Sequence, residues 1–557
     1  MSSPFDTHAI TNQVPPFEGT NLFGTDTALM EAVSREGGGA ARSELAAFGE
    51  SCGSVANADL ARIANEATPR LKTHDAKGHR LDTVDYHPAY HVLMRISTAA
   101  GLHCRVWEHQ AVPGAIPVAG RNVVRAATLY LAAQMEAGHC CPLTMTHAAV
   151  PTLSLEPSLA GTWMPKLLSR SYDPSFLPAA QKTAVTIGMG LTEKQGGTDV
   201  RANTTIAEPR GAPGPGAVYT LTGHKWFMSA PMSDAFLVLA QARGGLSCFL
   251  LPRWREDGTV NGLRFQRLKE KLGNRSNASS EVEFHAAEAT LIGEEGRGVA
   301  GIIEMVTETR LDCAVSSAGL MRQALARAIH HARHRTVFQK ALVDQVVMTE
   351  VLADMALDVE AATALVFRLA RAFDHAGDPR AAAWRRLMTP VVKYWVTKLA
   401  PAVVCEAMEC LGGNGYVEDE PLARLYREVP VNAIWEGSGN VMALDVLRVL
   451  QREPDVADMV LEDLAVSVGT DPYLLAGLER IQALLHEPRL LDRRARTLVE
   501  TLAVVSAGAI LKAHAPAGIA DPFIISRLSA HRRQSYGQGI DWANAKAIVD
   551  RALPPMA

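Results

Sequence analysis

Between residue 46 and about 182, apolar residues recur at three- and four-residue spacing, as in Val123, Ala126, Ala127, Tyr130 and Leu131. That period predicts amphipathic helices packed face to face. From 183 to 292 the period changes to two. The runs TAVTI, AVYTLTG, DAFLVLAQ, LSCFLLP and SEVEFHA are short, and the clusters EPRGAPGPG and REDGTVNG break them. Antiparallel strands in a compact barrel or sandwich are the expectation. A third unit, 293–450, returns to helical periodicity at about 298, with stops at Gly412-Gly413 and Gly437. Within it a helix is expected to begin near Arg310, and Pro390 and Pro401 are expected to kink or restart another. The 107 residues after Leu450 (557 − 450) are mostly helical in pattern and show no repeat. Residues 1–45, rich in Pro, Gly and Ser, read as an arm lying on a neighbour. The fold class is α+β, in the order helices, strands, helical bundle and an extra C-terminal helical domain, 451–557.

Composition narrows the function classes. A chain of 557 residues, 48% hydrophobic and 20% charged, holds several packed units. Its 55 basic and 59 acidic side chains leave a net charge of −4, so a nucleic-acid partner needs a local patch. The eight cysteines contain no C-x-x-C pair and sit in apolar or helical runs, which reads as reduced thiols. The N-terminus has no signal-like apolar stretch, and Leu502–Leu511 is halted by Lys512, so a soluble cytoplasmic protein with no membrane partner is expected.

Standard fingerprints fail. GMGLTE at 188–193 starts like a dinucleotide-binding turn but ends in Glu, and no P-loop or zinc spacing exists, so no metal is expected. The run His330-His-Ala-Arg-His334-Arg resembles a metal tract in composition, yet a helix spreads those side chains around its axis, and an anion-facing surface is preferred.

Four segments say more together. Met189-Gly-Leu191-Thr192-Glu-Lys-Gln-Gly-Gly-Thr198 runs a strand into a Gly-rich turn whose bare amides and hydroxyls can approach a flat ring or a phosphate. His224-Lys-Trp-Phe227-Met-Ser229 is a strand in which one aromatic is expected to be core and the other to face a ligand, with Lys225 a solvated strand end. Then come Arg335-Thr-Val-Phe338, and Glu409-Cys-Leu-Gly412-Gly413-Asn-Gly-Tyr followed by Ile434-Trp-Glu436-Gly437-Ser438-Gly-Asn440. In this order and spacing they resemble the acyl-CoA dehydrogenase family.

The resemblance implies a helical domain, a β-domain and a helical bundle holding FAD between them and across a subunit interface. Met189, Leu191, Thr192 and Thr198 would line the flavin or its ribityl chain. Phe227 would take the place of a flavin-stacking tryptophan, with Ser229 its neighbouring hydroxyl donor. Arg335 and Phe338 would meet the FAD pyrophosphate and adenine from a partner subunit, Gly412 and Gly413 would close the backbone on the cofactor, and Ile434, Gly437, Ser438 and Asn440 would complete the pocket. Glu409 stands where many members have Gln. Glu436 falls on the family's usual base.

Chemistry supports Glu436 independently. Removing a proton α to a thioester carbonyl requires a carboxylate in a dry site. Trp435 excludes water, and Gly437 lets a main-chain amide approach the carbonyl oxygen where charge develops. Arg310 is a candidate orienting cation for the same pocket. Thr309 leaves the alternative glutamate position, just before that arginine, vacant. Taken alone, a Glu before Gly is more often a helix N-terminal carboxylate.

Charge in the last unit is segregated. Residues 451–487 hold two basic and eight acidic side chains, and 488–557 hold ten basic and five acidic. Eight of those ten cations are arginines, whose flat fork suits phosphate oxygens. Arg489, Arg493, Arg494, Arg496, Arg527, Arg532 and Arg533 are the candidate phosphate-binding residues. With the N-terminal arm and the phrases LTEKQGGTDV, HKWFMSA and REVPVNAIWEGSGN, this tail is similar to the AidB-type branch, the DNA alkylation response flavoproteins. That resemblance implies a homotetramer that oxidises an acyl-CoA thioester modestly at most and binds double-stranded DNA without sequence preference. The alternatives are a short-branched-chain (isovaleryl-like) acyl-CoA dehydrogenase with an assembly-only tail, and a flavin-stabilised structural protein without turnover.

Overall fold

The computed structural model describes residues 7–111, 114–487, 491–529, 535–538 and 542–555. Seven helices precede the main sheet: α1 (Thr27–Arg35), α2 (Arg42–Gly53), α3 (Val55–Glu66), α4 (Pro88–Ala99), α5 (Arg121–Met135), α6 (Cys140–Leu153) and α7 (Pro157–Leu167). Asp26 starts α1 by accepting the Leu29 amide at 3.0 Å, which satisfies one of its open donors. A polar hairpin, β1 (Arg70–His74) and β2 (Arg80–Asp85), interrupts this helical run. Its strands carry few apolar residues, so period two was invisible there. The turn is legible in hindsight, since Asp75 accepts the Lys77 and His79 amides and Gly78 takes φ +86°.

Residues 15–26 of the arm expected on a neighbour contact the helix Gly298–His334 of their own chain. The Pro15 carbonyl accepts from His330 Nε2 at 2.8 Å, Glu18 pairs with Arg327 at 2.7 Å, and Asp26 lies 3.0 Å from Arg322. His330 and His331 are therefore buried rather than anion-facing, and burial pushes the His331 imidazole down to about 4. Among the described residues no group of His, Cys, Asp and Glu could hold a metal.

The middle strands are β3 (Ile187–Gly190), β4 (Ile206–Pro209), β5 (Val218–Ser229), β6 (Ala235–Ala242), β7 (Gly245–Pro252), β8 (Leu263–Leu268) and β9 (Ser279–Ile292). Pairing runs β6–β4–β5–β9–β7 and back to β6, which closes a barrel; β3 adds to β6 in parallel and β8 to β9. Phe236, Val238 and Ala240 of β6 fill the barrel with Tyr219, Phe249, Phe265 and Phe284. Leu237 and Leu239 alternate with them and pack outward with Ala148, Leu153 and Trp163 of α6 and α7. Both faces of β6 are buried, so it reads as a continuous apolar run.

The bundle comprises α8 (Gly298–His334), α9 (Val346–Asp374), α10 (Pro379–Cys410), α11 (Pro421–Glu428) and α12 (Gly439–Arg452). Helix α8 starts at Gly298, where a Cβ would lie 2.7 Å from the Ser247 backbone, so Arg310 is mid-helix rather than at its opening. Helix α10 runs unbroken through Pro390 and Pro401. A proline inside a helix costs about 3 kcal/mol. Full burial of Val391, Val392, Val396, Ala400, Val403 and Val404 outweighs it, at about 1.5–3 kcal/mol for each large side chain.

The last helices are α13 (Pro454–Val468), α14 (Pro472–Leu485), α15 (Leu491–His514), α16 (Ala517–Leu528) and α17 (Trp542–Ala552). Their apolar faces join the bundle core. Arg527 is buried and pairs with Asp354 at 2.6 Å and Asp358 at 2.9 Å, so it ties α16 to α9 and does not face outward. Arg551 likewise bridges Glu31 and Glu360. Among the described residues one helix, α15, is long and apolar enough to cross a membrane, and 67% of its apolar window is buried inside the protein. All eight cysteines are free thiols.

Candidate active site

Glu436 lies in the loop between the short helical turn Val429–Ala433 and α12, at φ +57°, followed by Gly437 at φ +102°. A left-handed conformation costs a non-glycine residue on the order of 1 kcal/mol or more, so the surroundings must hold it. They do so through three successive carbonyls. Lys393 Nζ, from the buried face of α10, donates to the Trp435 and Gly437 carbonyls at 2.7 and 2.5 Å. Arg310 Nε donates to the Glu436 carbonyl at 3.1 Å and is anchored in turn on Asp445 at 2.6 Å. Burial pushes the Lys393 ammonium down, with Cys313 and Glu436 nearby acting to raise it.

The carboxylate itself accepts a hydrogen bond from Thr309 Oγ1 on Oε2 at 2.8 Å. The position that looked vacant for a glutamate therefore supplies a donor to the one that is present. Trp435 donates from Nε1 to Asn432 at 3.0 Å, and its ring joins the cluster of Ile187, Met189 and Leu191. Sequence reasoning missed Thr309 and Lys393. A lysine inside the apolar run VVKYWV was the available signal for the second; none existed for the first.

Beyond Met189 and Leu191, the Gly-rich turn is pinned by Glu193. Its carboxylate accepts from Lys225 at 2.8 Å and from the amides and hydroxyls of Thr204 and Thr205. Burial alone would raise this carboxyl, but Lys225 and these donors hold it well below the usual range. Lys225 is thus fully buried, not a solvated strand end. Thr192 is half-buried and Thr198 exposed.

Trp226 and Phe227 do not divide into core and ligand face. A bulge between Lys225 and Met228 turns both outward; Trp226 is half-buried and Phe227 is 51% exposed. Lys269 sits over both rings, at 3.4 and 4.5 Å from their centroids. Ser229 Oγ lies 2.9 Å from Ser279 Oγ.

Phe338 occupies different ground. It is 92% exposed at φ +52° and lines a cleft of about 580 Å³ with Val346, Val347, Glu406 and Glu409. Arg335 donates to the Asn12 carbonyl at 2.5 Å. Gly412, at φ +61°, and Gly413 have nothing within 4 Å of where a Cβ would stand. Ile434 is 67% exposed, and Ser438 and Asn440 are exposed at the start of α12. Exposed aromatic faces, bare glycines and an open cleft suit a flat ring system with a dinucleotide tail.

Of the tail arginines, Arg493, Arg494 and Arg496 are exposed on the first turns of α15. Arg494 lies 3.5 Å from Glu487, and Arg496 donates to the Tyr394 hydroxyl at 3.0 Å. Arg489, Arg532 and Arg533 lie outside the described residues.

Residues 12–174 match the domain described as the adaptive response protein AidB N-terminal domain, 188–287 the acyl-CoA dehydrogenase middle domain, and 296–451 the acyl-CoA dehydrogenase C-terminal domain. The chain is 47% identical over 506 residues to the putative acyl-CoA dehydrogenase AidB of Escherichia coli, covering 91% of each. The chain belongs to the acyl-CoA dehydrogenase family, in its AidB-type branch. This acyl-CoA dehydrogenase is also 34% identical over 512 residues to acyl-CoA dehydrogenase family member 11 of Caenorhabditis elegans, covering 85% of this chain and 80% of the relative. The crystal structure of Caenorhabditis elegans ACDH-11 in complex with C11-CoA matches it with a TM-score of 0.83 at 29% identity, covering 99% of this chain and 94% of that one. As an acyl-CoA dehydrogenase, the chain has FAD as its cofactor.

Proposed function

We propose that this cytoplasmic AidB-type protein oxidises an acyl-CoA thioester at its α,β-bond, with Glu436 as the base, and also binds double-stranded DNA in a response to DNA alkylation. The clamped Glu436 loop carries the first half of this reading. Three cation-bound carbonyls fix the backbone of the base, and the Thr309 hydroxyl orients its carboxylate, so the proton acceptor is preset before substrate arrives. Glu436 takes the α-proton, while Trp435 keeps water from the carboxylate. Bound FAD supplies the hydride acceptor for the β-position. Met189, Leu191, Thr192, Thr198, Phe227, Ser229, Ile434, Gly437, Ser438 and Asn440 would hold the flavin part. Arg335, Phe338, Gly412 and Gly413 would hold the dinucleotide end of a partner subunit's FAD, within a homotetramer.

Anaerobic mixing of the FAD-loaded protein with a panel of acyl-CoA thioesters tests this, with flavin bleaching as the readout. The panel runs from short branched chains to C11-CoA, the ligand named for the Caenorhabditis elegans relative. Bleaching by at least one thioester is expected; no bleaching by any of them contradicts dehydrogenation.

For DNA, Arg493, Arg494 and Arg496 offer an exposed cationic turn that fits phosphates without reading bases. A second reading, an assembly role for the tail, is favoured by the internal pairing of Arg527, Arg551 and Lys512.

A further inference from the structure

A chain of hydrogen bonds runs from a half-buried lysine to the hydroxyl beside Phe227. Lys271 Nζ donates to the Asn277 carbonyl at 2.6 Å and to Ser279 Oγ at 3.3 Å, and Ser279 Oγ lies 2.9 Å from Ser229 Oγ. An ammonium can only donate. Ser279 therefore accepts from Lys271, and Ser229 Oγ is an acceptor within reach of its own proton. When Ser279 donates there, Ser229 keeps its own proton for an acceptor other than Ser279.

We propose that Lys271 is a positioning residue for the flavin, acting through Ser279 to bias the Ser229 hydroxyl toward donating to the bound ring. The proposal rests on the reading above that Ser229 faces the flavin. It assigns a role to a side chain outside the base loop and outside the cofactor motifs. A neutral amine can take the Ser279 proton itself, which removes this bias on the serine pair. A hydrogen bond donated to the ring strengthens as negative charge builds on it, so a donating Ser229 favours the reduced flavin over the oxidised one.

Protonation of this lysine is set by its surroundings. Burial pushes Lys271 down to about 8, while Cys141 of α6, Glu428 of α11 and Glu136 after α5 act to raise it. Glu136 is held down to about 2 and Cys141 is pushed up to about 12, and burial raises the Glu428 carboxyl from an ordinary value of 4.5. Lys271 is the member of this group that titrates near pH 8.

The test is the flavin midpoint potential of the FAD-loaded protein, measured against pH in wild type, Lys271→Met, Lys271→Arg, Ser279→Ala and the Lys271→Met/Ser279→Ala double variant. Lys271→Met is expected to lower the potential and erase the inflection near pH 8, and Lys271→Arg to restore the potential without the inflection. Ser279→Ala, a small change that leaves the lysine in place, is expected to lower the potential too. The double variant should fall no further than Lys271→Met, since the two residues act in one chain. A silent Ser279→Ala, or additive shifts, would overturn the relay, and an unchanged Lys271→Met would overturn the role of the lysine. Acyl-CoA bleaching of the wild type, recorded alongside, separates these outcomes from failure of the dehydrogenase reading.

Discussion

At the residue scale, the site is organised by what grips Glu436 rather than by Glu436 alone. Glu436 was legible in the sequence because a carboxylate between Trp435 and Gly437 suits proton abstraction. Arg310 was legible with it as an orienting cation, but the left-handed backbone and the Lys393 anchor were not, since that lysine arrives on α10 from 42 residues away. Lys393→Met removes donors from two carbonyls, and an unsatisfied buried polar group costs about 1–3 kcal/mol. If that strain is felt at the reacting carboxylate, flavin reduction by acyl-CoA falls by roughly 10- to 100-fold with FAD still bound. Stopped-flow bleaching of the holoenzyme checks it; a normal rate would mean that the loop holds itself.

At the element scale, alternating and helical periods located most strands and helices, and the failures have separate physical causes. The β1–β2 hairpin is polar, so its period carried no apolar signal. Helix α10 ignores two prolines because its many buried apolar side chains repay the lost hydrogen bonds. Arg527 looked like a surface cation because composition cannot show that Asp354 and Asp358 of α9 face it. Arg527→Ala removes those buried pairs, and a loss on the order of 3 kcal/mol is expected, read as a fall in the thermal midpoint.

A second buried carboxylate joins the end of α5 to the start of β9. Glu136 accepts the Gly138 and His139 amides and the Ser276 hydroxyl, each at 2.8 Å. Burial would raise its carboxyl, but His139 and these donors hold it down to about 2 from an ordinary 4.5. Its folded-state value is depressed, so its stabilisation is complete above about pH 4.5 and is lost as pH falls toward 2. Thermal midpoints measured from pH 7 downward should therefore decline less steeply in Glu136→Gln than in wild type, from a lower starting point. Parallel acid limbs would contradict the assignment.

At the scale of the whole molecule, the tail is both part of the core and the bearer of an exposed arginine turn. Segregated charge predicted a basic surface, yet Arg527, Arg551 and Lys512 are taken up by internal ion pairs, leaving Arg493, Arg494 and Arg496 as the described outward group. Reversing those three to glutamate should abolish retention of duplex DNA at low salt. Replacing them singly should reduce the slope of log affinity against log salt by about 0.9 for each phosphate that is no longer neutralised, with no change in sequence preference. Equal binding by the reversed variant would favour assembly as the purpose of the tail.

The central claim is that Glu436 removes the α-proton of an acyl-CoA, and flavin bleaching with α-deuterated and ordinary thioester in wild type and Glu436→Gln tests it most directly. The prediction is slower bleaching with the deuterated substrate in wild type, and a rate in Glu436→Gln lower by at least a factor of about 100, the scale of losing a positioned general base, with FAD retained. Wild-type rates indifferent to deuterium, together with an undiminished rate in Glu436→Gln, would contradict it.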